Sequence, residues 1–153
     1  MKRLAWVLIL GLLGLTACTT FHGVKPIYPG VGNPNYDPPT VDSLQPILRW
    51  KPSPVPDVSY DLIIYECVKA GSFGSWEGIQ RTMGKVAYYR EGIPEPEHKV
   101  EESLKADREY YWSVRVRQGE KVSAWSVYDY DLFLVTAYMF AKNQFFRFKT
   151  PEK

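Results

Sequence analysis

The sequence predicts an all-β fold, and three of its features agree on it. Aromatic residues make up 15% of the chain, with eleven Tyr and five Trp, and such side chains suit a pleated, half-buried surface. The apolar segments are short and are separated by clusters of Pro and Gly, which read as strands and turns. No window of about eleven residues keeps the 3.6-residue apolar period of an amphipathic helix.

Taken in order, residues 46–51 read as a strand carrying Ile47, Leu48 and Trp50, ended by Pro52, Pro54 and Pro56. Residues 58–68 form the longest strand, with Tyr60, Leu62 and Ile64 on one face and Asp61, Ile63 and Tyr65 on the other. Residues 85–90 contribute Val86, Tyr88 and Tyr89. Residues 98–104 lead through a turn into 110–117, where Tyr110, Trp112, Val114 and Val116 alternate with Tyr111, Ser113, Arg115 and Arg117. This is the cleanest inward/outward alternation in the chain. Gln118-Gly119-Glu120 makes a turn, residues 122–127 start a return strand, and residues 145–150 close the domain.

These segments carry a resemblance. Leu104-Lys105-Ala106-Asp107-Arg108-Glu109-Tyr110 resembles the leucine-to-tyrosine turn of fibronectin type III domains. Tyr110-Tyr111-Trp112-Ser113-Val114-Arg115-Val116 resembles strand F of bacterial members, and Ser123-Ala124-Trp125-Ser126 the start of their strand G. Leu48-Arg49-Trp50 stands where strand B carries its core Trp, and Phe146-Arg147-Phe148-Lys149-Thr150 is similar to the last strand. The resemblance spans residues 41–151 and implies an immunoglobulin-like β-sandwich of about seven strands, with the Tyr110 hydroxyl bonded back to the preceding loop backbone. Strand A is barely visible, because residues 40–44 are short and polar, and residues 70–84 and 127–144 are insertions beyond the family pattern.

The N-terminus has its own logic. Met1-Lys2-Arg3 precedes fourteen residues, 4–17, without a charge, and a basic start followed by an apolar core describes a secretory signal. As a helix that run rises only about 21 Å, short of the roughly 30 Å hydrocarbon core, so it does not span a membrane. It ends in Leu15-Thr16-Ala17-Cys18, which resembles the lipobox of bacterial lipoproteins. The resemblance implies a signal peptide over 1–17, a diacylglyceryl group on the Cys18 thiol, cleavage before Cys18 and acylation of the new amino group. Those lipids are covalent; no cofactor or metal is expected. Burial of acyl chains contributes about 0.8 kcal/mol per CH₂, so two or three chains hold far more firmly than one. Thr19, in place of the Asp that favours inner-membrane retention, implies sorting to the outer membrane, with the periplasmic or surface side left open.

Residues 18–40 hold five of the twelve prolines and three glycines, a composition that excludes a helix or a central strand. Fully extended, the stretch would reach on the order of 70 Å. It reads either as a spacer lifting the domain off the membrane or as a linker partly packed on it.

The charge balance narrows the partners. Lys plus Arg is 19, and without Lys2 and Arg3 it is 17, against 17 acidic residues, so the mature chain is formally neutral. Nucleic-acid binding needs a basic surface and is disfavoured. With Cys18 claimed by lipid, Cys67 stands alone and reads as a small buried hydrophobe, and no disulfide is expected.

Catalysis finds no support. His22 and His98 lie far apart without metal-spaced partners, and Glu101 and Glu102 are neighbours on a strand, facing opposite ways. Asp129 and Asp131 are two carboxylates where a calcium site uses six to eight oxygens. Binding is the remaining role, and it would sit in the insertions. Phe73 and Trp76 lie in the first; the second contains the uncharged run 132–141 with Phe133, Tyr138 and Phe140. If exposed, that run marks a partner or membrane contact; if paired as a hairpin, it covers a sheet edge. The expectation is a membrane-anchored, non-catalytic module that binds another envelope protein. The alternative is a glycan-binding module using Trp76, Tyr88, Tyr89 and Tyr128 as stacking platforms.

Overall fold

The computed structural model describes residues 23–30, 38–70, 80–127 and 146–152, all of them in strands, turns and extended segments. The described residues form eight strands: β1 (Pro26–Tyr28), β2 (Ile47–Trp50), β3 (Ser59–Ala70), β4 (Gln80–Ile93), β5 (Glu97–Lys99), β6 (Glu109–Gln118), β7 (Lys121–Val122) and β8 (Phe146–Lys149). They form two sheets, β1-β2-β5 and β4-β3-β6, the latter completed by β7 and β8, which both pair with β6. All of these pairings are antiparallel. The fold is all-β and consistent with a β-sandwich.

The core follows from the alternation. Tyr60, Leu62 and Ile64 of β3 and Tyr110, Trp112, Val114 and Val116 of β6 are buried on one face. The register sets them side by side, Ile64 opposite Trp112 and Leu62 opposite Val114. From the smaller sheet Leu48 and Trp50 meet them, and Phe146 and Phe148 of β8 complete the cluster. Trp50 packs edge-on to Tyr60 at 5.3 Å and Tyr110 stacks on Phe148 at 5.5 Å. Burying side chains of this size contributes about 1.5–3 kcal/mol each, which is why the two sheets stay together.

Several regions differ from the expectation. β5 ends at Lys99 where a strand was expected over 98–104, and β7 ends at Val122 where a strand was expected over 122–127. Two further differences bear on the architecture. Residues 23–30, assigned from sequence to the Pro-rich stretch, belong to the sandwich. Val24, Pro26 and Pro29 are buried, and β1 pairs with β2, Pro26 opposite Trp50. Proline is tolerated because β1 is an edge strand, where a missing N–H interrupts no ladder. The partly packed reading therefore describes this part of the stretch. Thr40 then forms a parallel bridge to Lys149, and Val41 is 1% exposed, so this short, polar stretch is fastened to the sheet.

The other difference is the length of β4. Residues 80–84, counted within an insertion, continue the β3–β4 hairpin, with Ala70 opposite Gln80 and Cys67 opposite Met83. Three register shifts bend this pair, as β-bulges do. Gly84 fits one of the bent segments closely: a Cβ there would stand 2.7 Å from Val68 Cγ2 and 3.1 Å from the Glu66 carbonyl oxygen.

Candidate functional site

The face of the larger sheet that points away from the core is built from the other half of each alternation. Asp61 pairs in register with Arg115, and Ser59 with Arg117. The Asp61 side chain is fully buried and accepts hydrogen bonds from Arg115 Nε (2.8 Å), Arg117 Nε (2.9 Å) and Nη2 (2.8 Å), and the Gly92 amide (3.2 Å). Arg117 Nη2 also reaches Glu91 Oε1 at 2.9 Å, and the Tyr89 hydroxyl donates to the same oxygen. Arg115 lies over the Trp125 ring, 4.6 Å from its centroid. Burial alone would raise the Asp61 carboxyl; the hydrogen bonds from Arg117 and Arg115 outweigh it and hold the group below its ordinary value. A carboxylate so held stays ionised, with its lone pairs occupied by donors. It fastens β3 to β6 and is badly placed to accept a proton from a substrate.

Ser123-Ala124-Trp125-Ser126 explains how the edge beside this cluster is held. The Ser123 hydroxyl accepts from the Val116 amide at 3.0 Å and the Ser126 hydroxyl from the Val114 amide at 3.1 Å. In return the Ser123 and Ser126 amides donate to the Val116 and Val114 carbonyls, both at 2.9 Å. Two serines thus continue the β7 edge alongside β6, and of the two residues between them Trp125 is set against Arg115.

Smaller groupings lie elsewhere. The Tyr110 hydroxyl accepts from the Lys105 amide at 3.0 Å, the contact implied for that turn. Tyr88 and His98 stack at 5.8 Å, with the hydroxyl and Nε2 2.7 Å apart. Burial holds the His98 ring below its usual value, against the opposite pull of Glu101. Lys105 Nζ bonds Glu66 at 2.7 Å, which lowers that carboxyl. The half-buried Cys67 thiol lies 3.9 Å from Glu109 Oε2, which also faces Arg147 at 3.4 Å. A shallow cleft of about 530 Å³ lies between Tyr28, Val41, Ile47, Arg49 and Lys99.

Cys18, Phe73, Trp76, Phe133, Tyr138 and Phe140 lie outside the described residues, as do Tyr128, Asp129, Asp131 and His22. Of the aromatics named as stacking platforms, Tyr88 is 7% exposed and committed to the core, whereas Tyr89 is 43% exposed. Among the described residues no cluster of three or more His, Cys, Asp or Glu could hold a metal, and no helix is long and apolar enough to cross a membrane. The Asp61 cluster was missed in sequence. Its signal was a carboxylate between Tyr60 and Leu62 in an otherwise apolar run, with two arginines alternating on a second strand. Compared with protein families, curated proteins and solved structures, the chain matches none.

Proposed function

We propose that the chain is an envelope lipoprotein, acylated on Cys18 and sorted to the outer membrane. Its fibronectin type III-like domain binds another envelope protein and catalyses no reaction. The observation that carries the reading is the basic start, the uncharged run and Leu15-Thr16-Ala17-Cys18, with a packed β-domain close behind. The fibronectin type III assignment is supported by the strand order, in which β2 and β3 lie in opposite sheets, β1 and β5 flank β2, and β3, β6 and the β7/β8 edge follow one another. The Tyr110–Lys105 contact supports it further. The non-catalytic part of the reading is supported by the Asp61 cluster, whose charges are spent on one another and leave no free acid or base there.

Metabolic labelling with a palmitate analogue, followed by membrane fractionation and pull-down, tests this. The wild-type protein is expected to carry label and to pellet with membranes, and Cys18→Ser to lose both. A Cys18→Ser protein that still pellets, beside an unlabelled wild type, would overturn the anchor. Deleting residues 132–141 is expected to remove partners; an unchanged partner set in a folded deletion variant overturns the assignment of binding to that run. A saturable response of Trp fluorescence to envelope polysaccharide would transfer the role to glycan.

A further inference from the structure

The packing of residues 23–30 limits how far the domain can stand from its anchor. An added Cβ at Gly23 would lie 3.2 Å from the Ala124 carbonyl oxygen. The Lys51 amide donates to the Lys25 carbonyl at 2.8 Å, Val24 is buried, and Pro26 pairs with Trp50. From residue 23 onward the chain is part of the sandwich, so only residues 19–22 separate it from Cys18. The five steps from Cys18 to Gly23 span at most about 18 Å. The 70 Å reach open to a free spacer is gone.

The chain also pairs with the sandwich near an identifiable end, where Lys25 bonds to Lys51, with Gly23 lying further in. β2 finishes there at Trp50, β3 leaves from it at Ser59, β6 runs into it at Gln118, and Ile93 ends β4 opposite Tyr60. Loops 51–58, 94–96 and 119–120 therefore gather at this end. Gly23 neighbours Ser126, whose amide bonds Val114, and Val114 stands opposite Leu62. The other end holds the β3–β4 hairpin, where Ala70 pairs with Gln80. From Leu62 to Ala70 is eight residues, about 26 Å along a strand, more than the leash can cover. With the hairpin turned toward the bilayer, Cys18 would not reach it.

We propose that the lipid headgroup surface lies against the end formed by loops 51–58, 94–96 and 119–120, and that the β3–β4 hairpin points away from the membrane. This rests on the lipoprotein reading above. The end exposes Lys25, Lys51 and Lys121 beside Asp57, Glu95 and Glu120, so its charges nearly cancel. The apposition is imposed by the short covalent link and is insensitive to salt, unlike polybasic attachment. Val68, Met83 and Val86, each about half exposed on the hairpin, are then held outward, where a partner can reach them.

The test uses the full-length acylated protein in vesicles of phosphatidylethanolamine and phosphatidylglycerol, in a Cys67→Ser background. A donor fluorophore is placed on Pro56→Cys, Lys121→Cys, Ser103→Cys or Thr82→Cys, with acceptors on the lipid headgroups. Energy transfer is expected to be several-fold more efficient from positions 56 and 121 than from 82 and 103, at low and high salt alike. A flexible Gly/Ser insertion between residues 20 and 21 is expected to erase the difference. Acyl label on Cys18 with equal transfer from both pairs, or stronger transfer from 82 and 103, overturns the orientation alone. Absence of acyl label overturns the lipoprotein reading and the orientation with it.

Discussion

Replacing Asp61 with Ala removes the carboxylate that joins β3 to β6 and leaves two guanidiniums without their main partner. Breaking a buried ion pair from one side costs about 3–5 kcal/mol, because a charge stays behind in a poorly hydrated site. Here the arginine side chains are 19% and 26% exposed. Arg117 keeps Glu91, and Arg115 keeps Trp125. Both can recover some water, so the lower limit applies, about 3 kcal/mol, which for a domain of this size lowers Tm by on the order of 10 °C. Urea denaturation followed by Trp fluorescence would read it as a lower midpoint at unchanged m. The pH dependence adds a second constraint. The Asp61 carboxyl lies below its ordinary 3.8 when folded, so its stabilisation is complete above about pH 4 and is lost as pH falls through the folded value. The gap between wild type and variant should therefore be wide at neutral pH and shrink in acid. A loss under about 1 kcal/mol at neutral pH, or a gap undiminished in strong acid, would refute this account of the cluster.

Other residues give shorter predictions. Tyr110→Phe strands the Lys105 amide and should cost about 1–2 kcal/mol by urea denaturation; an unchanged midpoint would show that the contact holds nothing. Gly84→Ala forces a Cβ against Val68 and the Glu66 carbonyl and should destabilise by about 1–3 kcal/mol. Gly119, at φ +58° with open space around it, should cost about 1 kcal/mol as Ala through backbone strain alone, readable as a Tm shift. His98 is held below its usual 6.5 in the fold, so the unfolded chain binds the proton more readily and stability should fall as pH drops below about 6.5. Melting curves of His98→Gln across that range should be flatter than those of the wild type.

The parts of the fold legible in sequence are those where local pattern and burial coincide. From Tyr60 to Ile64 in β3 and from Tyr110 to Val116 in β6 every second residue is large and apolar, and those residues form the core. The Leu104–Tyr110 turn was readable because its one long-range requirement, a tyrosine hydroxyl over a nearby amide, spans five residues. β1 was hidden because Pro26 and Pro29 argue against a strand unless it lies at an edge, and edge position is a tertiary fact. β4 was read as starting at Lys85 because Gly84 interrupts the pattern before it, which the bulges in the strand pair accommodate. The Asp61 cluster was hidden because its partners are 54 and 56 residues away. Sequence spacing carries no sign of that pairing until β3 and β6 are in register.

The divided edge along β6 has a practical consequence. Lys121 and Val122 pair with Gln118 and Arg117, while Phe146 to Lys149 pair with Trp112 to Glu109. Two stretches remote from each other along the chain thus share one supporting strand, each fastened independently. A protease cut between residues 127 and 146 would leave both new termini gripped by the same neighbour, so the nicked protein should migrate as one particle until denatured.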